Sequence, residues 1–250
     1  MDLGLAERKA LVTGGGRGIG KSIAQTLATE GVEVCILSRT ESELQQVCQA
    51  IADQGGKATY QVCDLADMAS LTALKEHIGR VDILIHNAAN VFRPKKITVM
   101  DEADWQQTIH INLNVMFSLL RLFLEDMKAQ GWGRVISLAS LSGVVGVGNY
   151  PAYCAAKSAL EGLTKNLAVD YSRYGITVNM VSPGFIETER FQKAAPPELI
   201  EKFIAATSIK RLGKPQDVAN AVAFLASNQA EYITGINLLV CGGLNLGNLW

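Results

Sequence analysis

The chain has 250 residues, 48% of them hydrophobic and 19% charged, with 23 Lys and Arg against 24 Asp and Glu for a formal charge of −1. This length accommodates one large α/β domain with a substantial core, the apolar content excludes disorder, and the balanced charge excludes a basic nucleic-acid-binding surface. No apolar run approaches the roughly 18 residues of a membrane-spanning helix.

Residues 1–8 carry neither a basic cluster nor a long apolar stretch, so no secretory leader is expected. Short apolar runs then predict strands at 9–12, 33–37, 58–62, 83–86, 134–138, 177–181 and 237–240. Several are rich in Val, Ile and Leu on both faces, as in strands covered by helices on either side. Helical patterns separate them, and the alternation predicts a doubly wound α/β fold with right-handed crossovers. Gly31 is expected to close the first helix, and Pro215 to sit in the first turn of the last. Thr40-Glu41-Ser42-Glu43 reads as a capping box opening the second helix, with Thr40 capping and Glu43 reaching back. Residues 185–212, which contain Pro196-Pro197, break the rhythm after the sixth strand. Insertions past a strand's C-terminal end are where α/β proteins place substrate-covering segments. The expectation is one domain over 1–250 with a small helical lid at 185–212.

Five cysteines (Cys35, Cys48, Cys63, Cys154 and Cys241) are odd in number and form no Cys-x-x-Cys pair. Three fall in or beside predicted strands, so they read as small core residues. His77, His86 and His110 have no ligand-like spacing, and no metal is expected. A soluble, cytoplasmic protein follows from these readings.

Directly after the first strand comes Thr13-Gly14-Gly15-Gly16-Arg17-Gly18-Ile19-Gly20. Glycines permit a tight turn and close backbone approach, and the helix that opens here offers free N–H groups to a pyrophosphate. An acidic residue ending the second strand would accept bonds from an NAD ribose, but this place holds Ser38, followed by Arg39. With Arg17 in the glycine loop, two guanidiniums suit a 2′-phosphate, which favours NADP(H).

Tyr153 and Lys157 open a helix at i, i+4 spacing, which puts phenol and ammonium on one face. A neighbouring cation favours phenolate and draws a phenol pKa down from about 10. These residues, with Asp64, Asn87-Ala88-Ala89, Asn112, Ser140 and Pro183-Gly184, occur in the order and spacing of a known family, and 13 positions separate Ser140 from Tyr153. The whole chain resembles the short-chain dehydrogenase/reductase family.

The resemblance implies a single Rossmann-type domain with a seven-stranded parallel sheet, and an oxidoreductase interconverting a carbonyl and a secondary alcohol. It implies that Tyr153 is the general acid in reduction and that Lys157 lowers its pKa and bonds the nicotinamide ribose. It further implies that Ser140 bonds the substrate oxygen and that Asn112 supports a water-linked proton relay to Lys157. The cofactor set so implied comprises Gly14, Gly16, Arg17, Gly18, Ile19, Gly20, Ser38, Arg39, Asp64, Leu65, Asn87, Ala88, Tyr153, Lys157, Pro183, Gly184, Ile186 and Thr188. Two donors at the carbonyl oxygen stabilise the charge that develops there, and the cofactor carries the hydride. The family usually has glycine where this chain has Ala89.

The substrate pocket is expected from residues 91–93, 142–150 and 185–203, with Ser140, Ser142, Tyr150, Tyr153, Phe185 and Phe191 touching substrate. Ser137 is expected to point away by strand alternation. Pro183-Gly184-Phe185-Ile186-Glu187-Thr188 and Tyr232-Ile233-Thr234-Gly235 look most like bacterial 3-oxoacyl-[acyl-carrier-protein] reductases. Lys128, Arg134 and Arg173 are candidates for docking an acidic carrier or are ordinary solvated charges, and Gly131 and Tyr174 stand where carrier-dependent enzymes have arginines. The alternatives are an NADP-linked dehydrogenase of a free small ketone or alcohol, and, from another class, a non-catalytic nucleotide-binding sensor. The resemblance implies a homotetramer through helices starting near Asp104 and Tyr153. The stripe Ile109, Leu113, Met116, Phe117 and Leu120 suits that interface or an internal core equally. The tail, 244–250, either covers a neighbouring subunit's pocket or packs on its own chain.

Overall fold

A computed structural model describes residues 2–246, and residues 247–250 of the tail lie outside it. Seven strands form one parallel sheet: β1 (Lys9–Thr13), β2 (Glu33–Ser38), β3 (Lys57–Val62), β4 (Ile83–His86), β5 (Gly133–Leu138), β6 (Ile176–Pro183) and β7 (Asn237–Val240), in the order β3-β2-β1-β4-β5-β6-β7. All seven predicted strands are present, with ends displaced by at most two residues.

Side-chain alternation explains why the central strands are largely apolar on both faces. Val12, Ile36, Ile83, Ile85 and Ile136 enter one core with helices α1 (Gly18–Thr29), α2 (Glu41–Ala52) and α10 (Pro215–Ala226). Leu11, Leu37, Leu84 and Val135 enter a second core with α3 (Met68–Ile78), α5 (Val115–Gln130) and α7 (Pro151–Tyr171). Each central strand thus needs hydrophobes at odd and even positions, since helices cover both faces. Gly31 follows α1 with φ +81°, and Pro215 opens α10, as expected. All five cysteines are free. Among the described residues no helix is long and apolar enough to cross a membrane.

The capping box at Thr40 does not form. Thr40 precedes α2 without a side-chain cap, and Glu43 instead pairs with Arg17 at 3.5 Å. A guanidinium from the glycine loop competes for the carboxylate, and the Ser38 hydroxyl accepts the Thr40 N–H at 3.3 Å.

The helical run from α4 (Glu102–Ile109) into α5 is interrupted by a π-turn over His110–Asn114. Such bulges free backbone groups and recur at functional sites. On this run Met116 and Leu120 are core residues, whereas Phe117 is 56% exposed. Segment 185–212 folds into α8 (Glu189–Ala194) and α9 (Pro197–Ala206), beyond the C-terminal end of β6, while α6 (Ser142–Val145) follows β5.

Gly20 is dictated by packing. A Cβ there would lie 2.2 Å from the Gly14 carbonyl oxygen and 2.5 Å from Asn87 Nδ2, so α1 could not approach β1. Gly20→Ala is therefore expected to cost at least about 2–3 kcal/mol, as overpacking of a rigid contact does. Urea unfolding of the variant checks this, and a loss under half that size would show that α1 can shift.

Candidate active site

The strand order reverses between β1 and β4, and a cleft of ≈ 660 Å³ opens there, past the C-terminal ends of the strands. Its size lies within the usual range for small-molecule sites. Gly14, Gly16, Arg17, Gly18, Ile19 and Gly20 form its floor. Ser38 and Arg39 border it at the end of β2, Asp64 and Leu65 after β3, Asn87 and Ala88 after β4, and Thr188 before α8. The other expected cofactor residues sit outside the lining. Pro183 ends β6, Gly184 N–H donates to Val240 O at 3.0 Å, and Ile186 packs its side chain in the core against Gly213. Tyr153 and Lys157 are the remaining two. Phe92 and Arg190, from the expected pocket segments 91–93 and 185–203, also line the cleft, as do Glu43, expected only as a helix cap, and Gln107, which was not anticipated.

Hydrogen bonds fix the floor. The Thr13 hydroxyl accepts the N–H groups of Asn87 and Ala88, both at 3.0 Å. Asn87 Nδ2 donates to the carbonyls of Thr13 (2.9 Å) and Gly14 (3.1 Å), which ties the end of β4 to the glycine turn. Gly14 has φ +66°, a conformation costly for other residues. Ala89 has no positive φ, so its methyl adds no backbone strain there.

The donor set fits a dinucleotide with an added phosphate. Helix α1 begins with no acidic residue in its first turn, leaving its N–H groups and positive end available to a pyrophosphate. Arg17 and Arg39 are exposed beside Ser38, where an acid would repel a 2′-phosphate. Glu43 pairs with Arg17 at 3.5 Å within the same cleft lining and shares its charge.

The candidate catalytic residues stand outside that lining, after β5, at the start of α7 and in the π-turn. Ser140 follows β5, and its Oγ lies 3.0 Å from Ser142 Oγ and accepts the Ser142 N–H at 3.1 Å. Burial pushes the Tyr153 phenol up, opposed by a hydrogen bond from Ser140 and, more weakly, by the Arg190 cation. Lys157 is buried, donates to Leu138 O at 2.6 Å, and has its Nζ 5.7 Å from the centroid of the Tyr153 ring. Burial pushes that ammonium down to about 7.

Asn112 occupies the middle of the π-turn, is fully buried, and donates its Nδ2 to Asn90 O (2.8 Å) and Thr108 O (2.9 Å). His86 is also buried, with Nδ1 3.4 Å from the Thr13 hydroxyl. Burial, aided by the Lys157 charge, pushes it down to about 3, so the imidazole is neutral. Ser137 is buried in β5 and does not compete with Ser140.

On the substrate side, Tyr150 and Tyr153 share a small recess with Phe92, Arg93 and Asn149. Phe185, Phe191 and Phe203 pack on one another, with Phe185 and Phe203 stacked at 3.6 Å between centroids. Val144, Val145 and Val147 are exposed. Lys128, Arg134 and Arg173 do not border the cleft of their own chain. Arg134, the second residue of β5, is buried, held by the carbonyls of Gly133, Gly175 and Ser227, while Lys128 and Arg173 flank the same N-terminal edge of the sheet.

Comparison with known proteins places these features in context. A sequence model of the family described as enoyl-(acyl carrier protein) reductase matches residues 14–245. The 3-oxoacyl-[acyl-carrier-protein] reductase FabG of Escherichia coli is 39% identical over 236 residues, covering 94% of this chain and 96% of that protein. Acetoacetyl-CoA reductase of Cupriavidus necator is 34% identical over 252 residues, covering 97% and 100%. Among solved structures, a Beutenbergia cavernae protein described as an NAD(P)-dependent gluconate 5-dehydrogenase, with bound NADP, superposes with a TM-score of 0.93 at 34% identity, covering 99% of this chain and all of that one.

Proposed function

This chain belongs to the short-chain dehydrogenase/reductase family, and from that premise we propose that it reduces the 3-oxo group of an acyl thioester. It is an oxidoreductase of carbonyl and secondary alcohol groups, and its cofactor is NADP(H). Bound NADPH supplies the hydride. Tyr153 donates the proton to the substrate oxygen, a role suited to a phenol that burial keeps protonated across the neutral range. Ser140 offers the second hydrogen bond to that oxygen. Lys157, buried behind the tyrosine, holds the nicotinamide ribose, and Asn112, fixed by two carbonyls, lines the route by which the proton is replaced.

The observation carrying this reading is the buried Lys157, whose Nζ lies 5.7 Å from the centroid of the Tyr153 ring and donates to Leu138 O at the end of β5, two residues before Ser140. The thioester follows from the reductases of carrier-bound and CoA-bound 3-oxoacyl groups among the relatives. A second reading, a dehydrogenase of a free hydroxy acid or ketone, draws on the gluconate 5-dehydrogenase likeness. The five free thiols support a reducing compartment, and the proposal places the enzyme in the cytoplasm. It also makes the enzyme a homotetramer, for which Phe117 on α5 and Val169 on α7, 56% and 82% exposed, provide apolar contact.

The test is NADPH oxidation with an acetoacetyl thioester presented on a carrier protein and on a small thiol. Turnover of both, faster on the carrier, is expected. Thioesters left unreduced while free ketones or alcohols react would replace the first reading with the second, and cofactor binding without any turnover across both classes would identify a sensor.

A further inference from the structure

A reacting carbonyl carries two substituents, and the surroundings of Tyr153 offer them unequal room. A recess of ≈ 10 Å³ adjoins the Tyr153 side chain, walled by Phe92, Met100, Thr108, Tyr150 and Pro151. Such a volume holds about one water-sized group. Thr108 is buried, and its hydroxyl is already donated to Asp104 O at 2.7 Å. The exposed Arg93 and Asn149 mark the side open to solvent. Two loops supply most of the wall, one between β4 and α4 and the other between α6 and α7, and they are tied together. Lys95 N–H donates to Asn149 O at 2.9 Å, and the Lys95 ammonium is itself held by Asp101 and Asp104. A main-chain bond between its two walls resists widening of the recess.

The substituent that leads through a thioester to a carrier is far too large for this space and must run towards solvent. What remains for the recess is the acyl end beyond the reacting carbon. We propose that the recess receives that end and admits only a methyl group, so that the enzyme reduces methyl ketones, the acetoacetyl group among 3-oxoacyl thioesters. The size limit rests on proton donation by Tyr153, and only its acetoacetyl form rests on the thioester reading. A longer chain could instead lie over Val144, Val145 and Val147, which are exposed, but these line neither the cleft nor the recess. The two courses give opposite trends. A chain laid on exposed valines gains with each methylene it buries. One pressed into a filled recess loses, because a single methylene in a closed pocket is worth about 10–200-fold.

Chain length therefore tests the recess. NADPH-dependent kcat/KM is measured for acetoacetyl, 3-oxopentanoyl, 3-oxohexanoyl and 3-oxooctanoyl thioesters of N-acetylcysteamine, and for ethyl acetoacetate beside ethyl 3-oxohexanoate. Acetoacetyl is expected to exceed 3-oxohexanoyl by about tenfold or more. Met100 walls the recess and does not border the cofactor cleft, so Met100→Ala should raise the ratio of 3-oxohexanoyl to acetoacetyl efficiency by about tenfold. Fluorescence titration with NADPH shows whether that variant is folded, and if it is not, the wild-type series decides alone. A level or rising trend with chain length in the wild type overturns the size limit and leaves the thioester reading standing. A folded Met100→Ala variant with an unchanged ratio also overturns it. A methyl preference among the esters while every thioester stays unreduced keeps the recess and removes the thioester. No reduction in either series overturns both.

Discussion

Replacing Tyr153 with phenylalanine is expected to lower kcat/KM for carbonyl reduction by about 10³-fold, the usual contribution of a positioned proton donor. The variant keeps the ring, which packs at the start of α7, and loses only the hydroxyl that faces Ser140. NADPH affinity should stay within a few-fold, because the glycine floor, Asn87 and Asp64 are untouched. The effect should therefore fall on kcat far more than on the KM for NADPH, read by steady-state kinetics beside cofactor fluorescence titration. A drop below tenfold would move the proton donor elsewhere, Ser140 being the next hydroxyl in the site. Because burial raises the phenol above its ordinary value, reduction should stay level through neutral pH and decline only under alkaline conditions. A decline near neutrality would instead report the titration of Lys157, whose ammonium burial brings to about 7.

The sheet was legible in the sequence because strands buried on both faces must be apolar at every position, and runs such as 83–86 stand out against the helices. The glycine turn was legible for a related reason: Gly20 admits no side chain, so its place in the chain is fixed by geometry that composition cannot disguise. Features set by competition between distant groups were hidden. Glu43 obeys a local capping pattern, yet it is drawn to Arg17, a residue 26 positions away. The stripe Ile109–Leu120 gives no sign of the π-turn over His110–Asn114, because such a turn inserts no unusual residue, and Asn112 acquires its orientation only there. Arg134 shows the same limit. A charged side chain in a strand reads as a surface group, whereas three backbone carbonyls and the ring of Trp132, 4.2 Å from its guanidinium, hold it inside.

That competition for Arg17 bears on the second large effect. Ser38→Asp is expected to lower the ratio of NADPH to NADH efficiency by at least about 10²-fold, since a carboxylate at the end of β2 repels a 2′-phosphate and accepts from ribose hydroxyls. Arg39→Leu should act in the same direction by removing one charge-assisted contact, about 10-fold or more. Glu43 makes the opposite prediction. Its carboxylate already lies 3.5 Å from the Arg17 guanidinium and close to Gly16, on the side where the phosphate would be received. A second anion arriving there must share that arginine, so Glu43→Gln should lower the KM for NADPH several-fold and leave NADH unchanged. The two signs together separate a phosphate site from a merely basic rim. A general surface charge would answer Glu43→Gln and Arg39→Leu with equal changes for both cofactors, whereas a 2′-phosphate site confines both changes to NADPH.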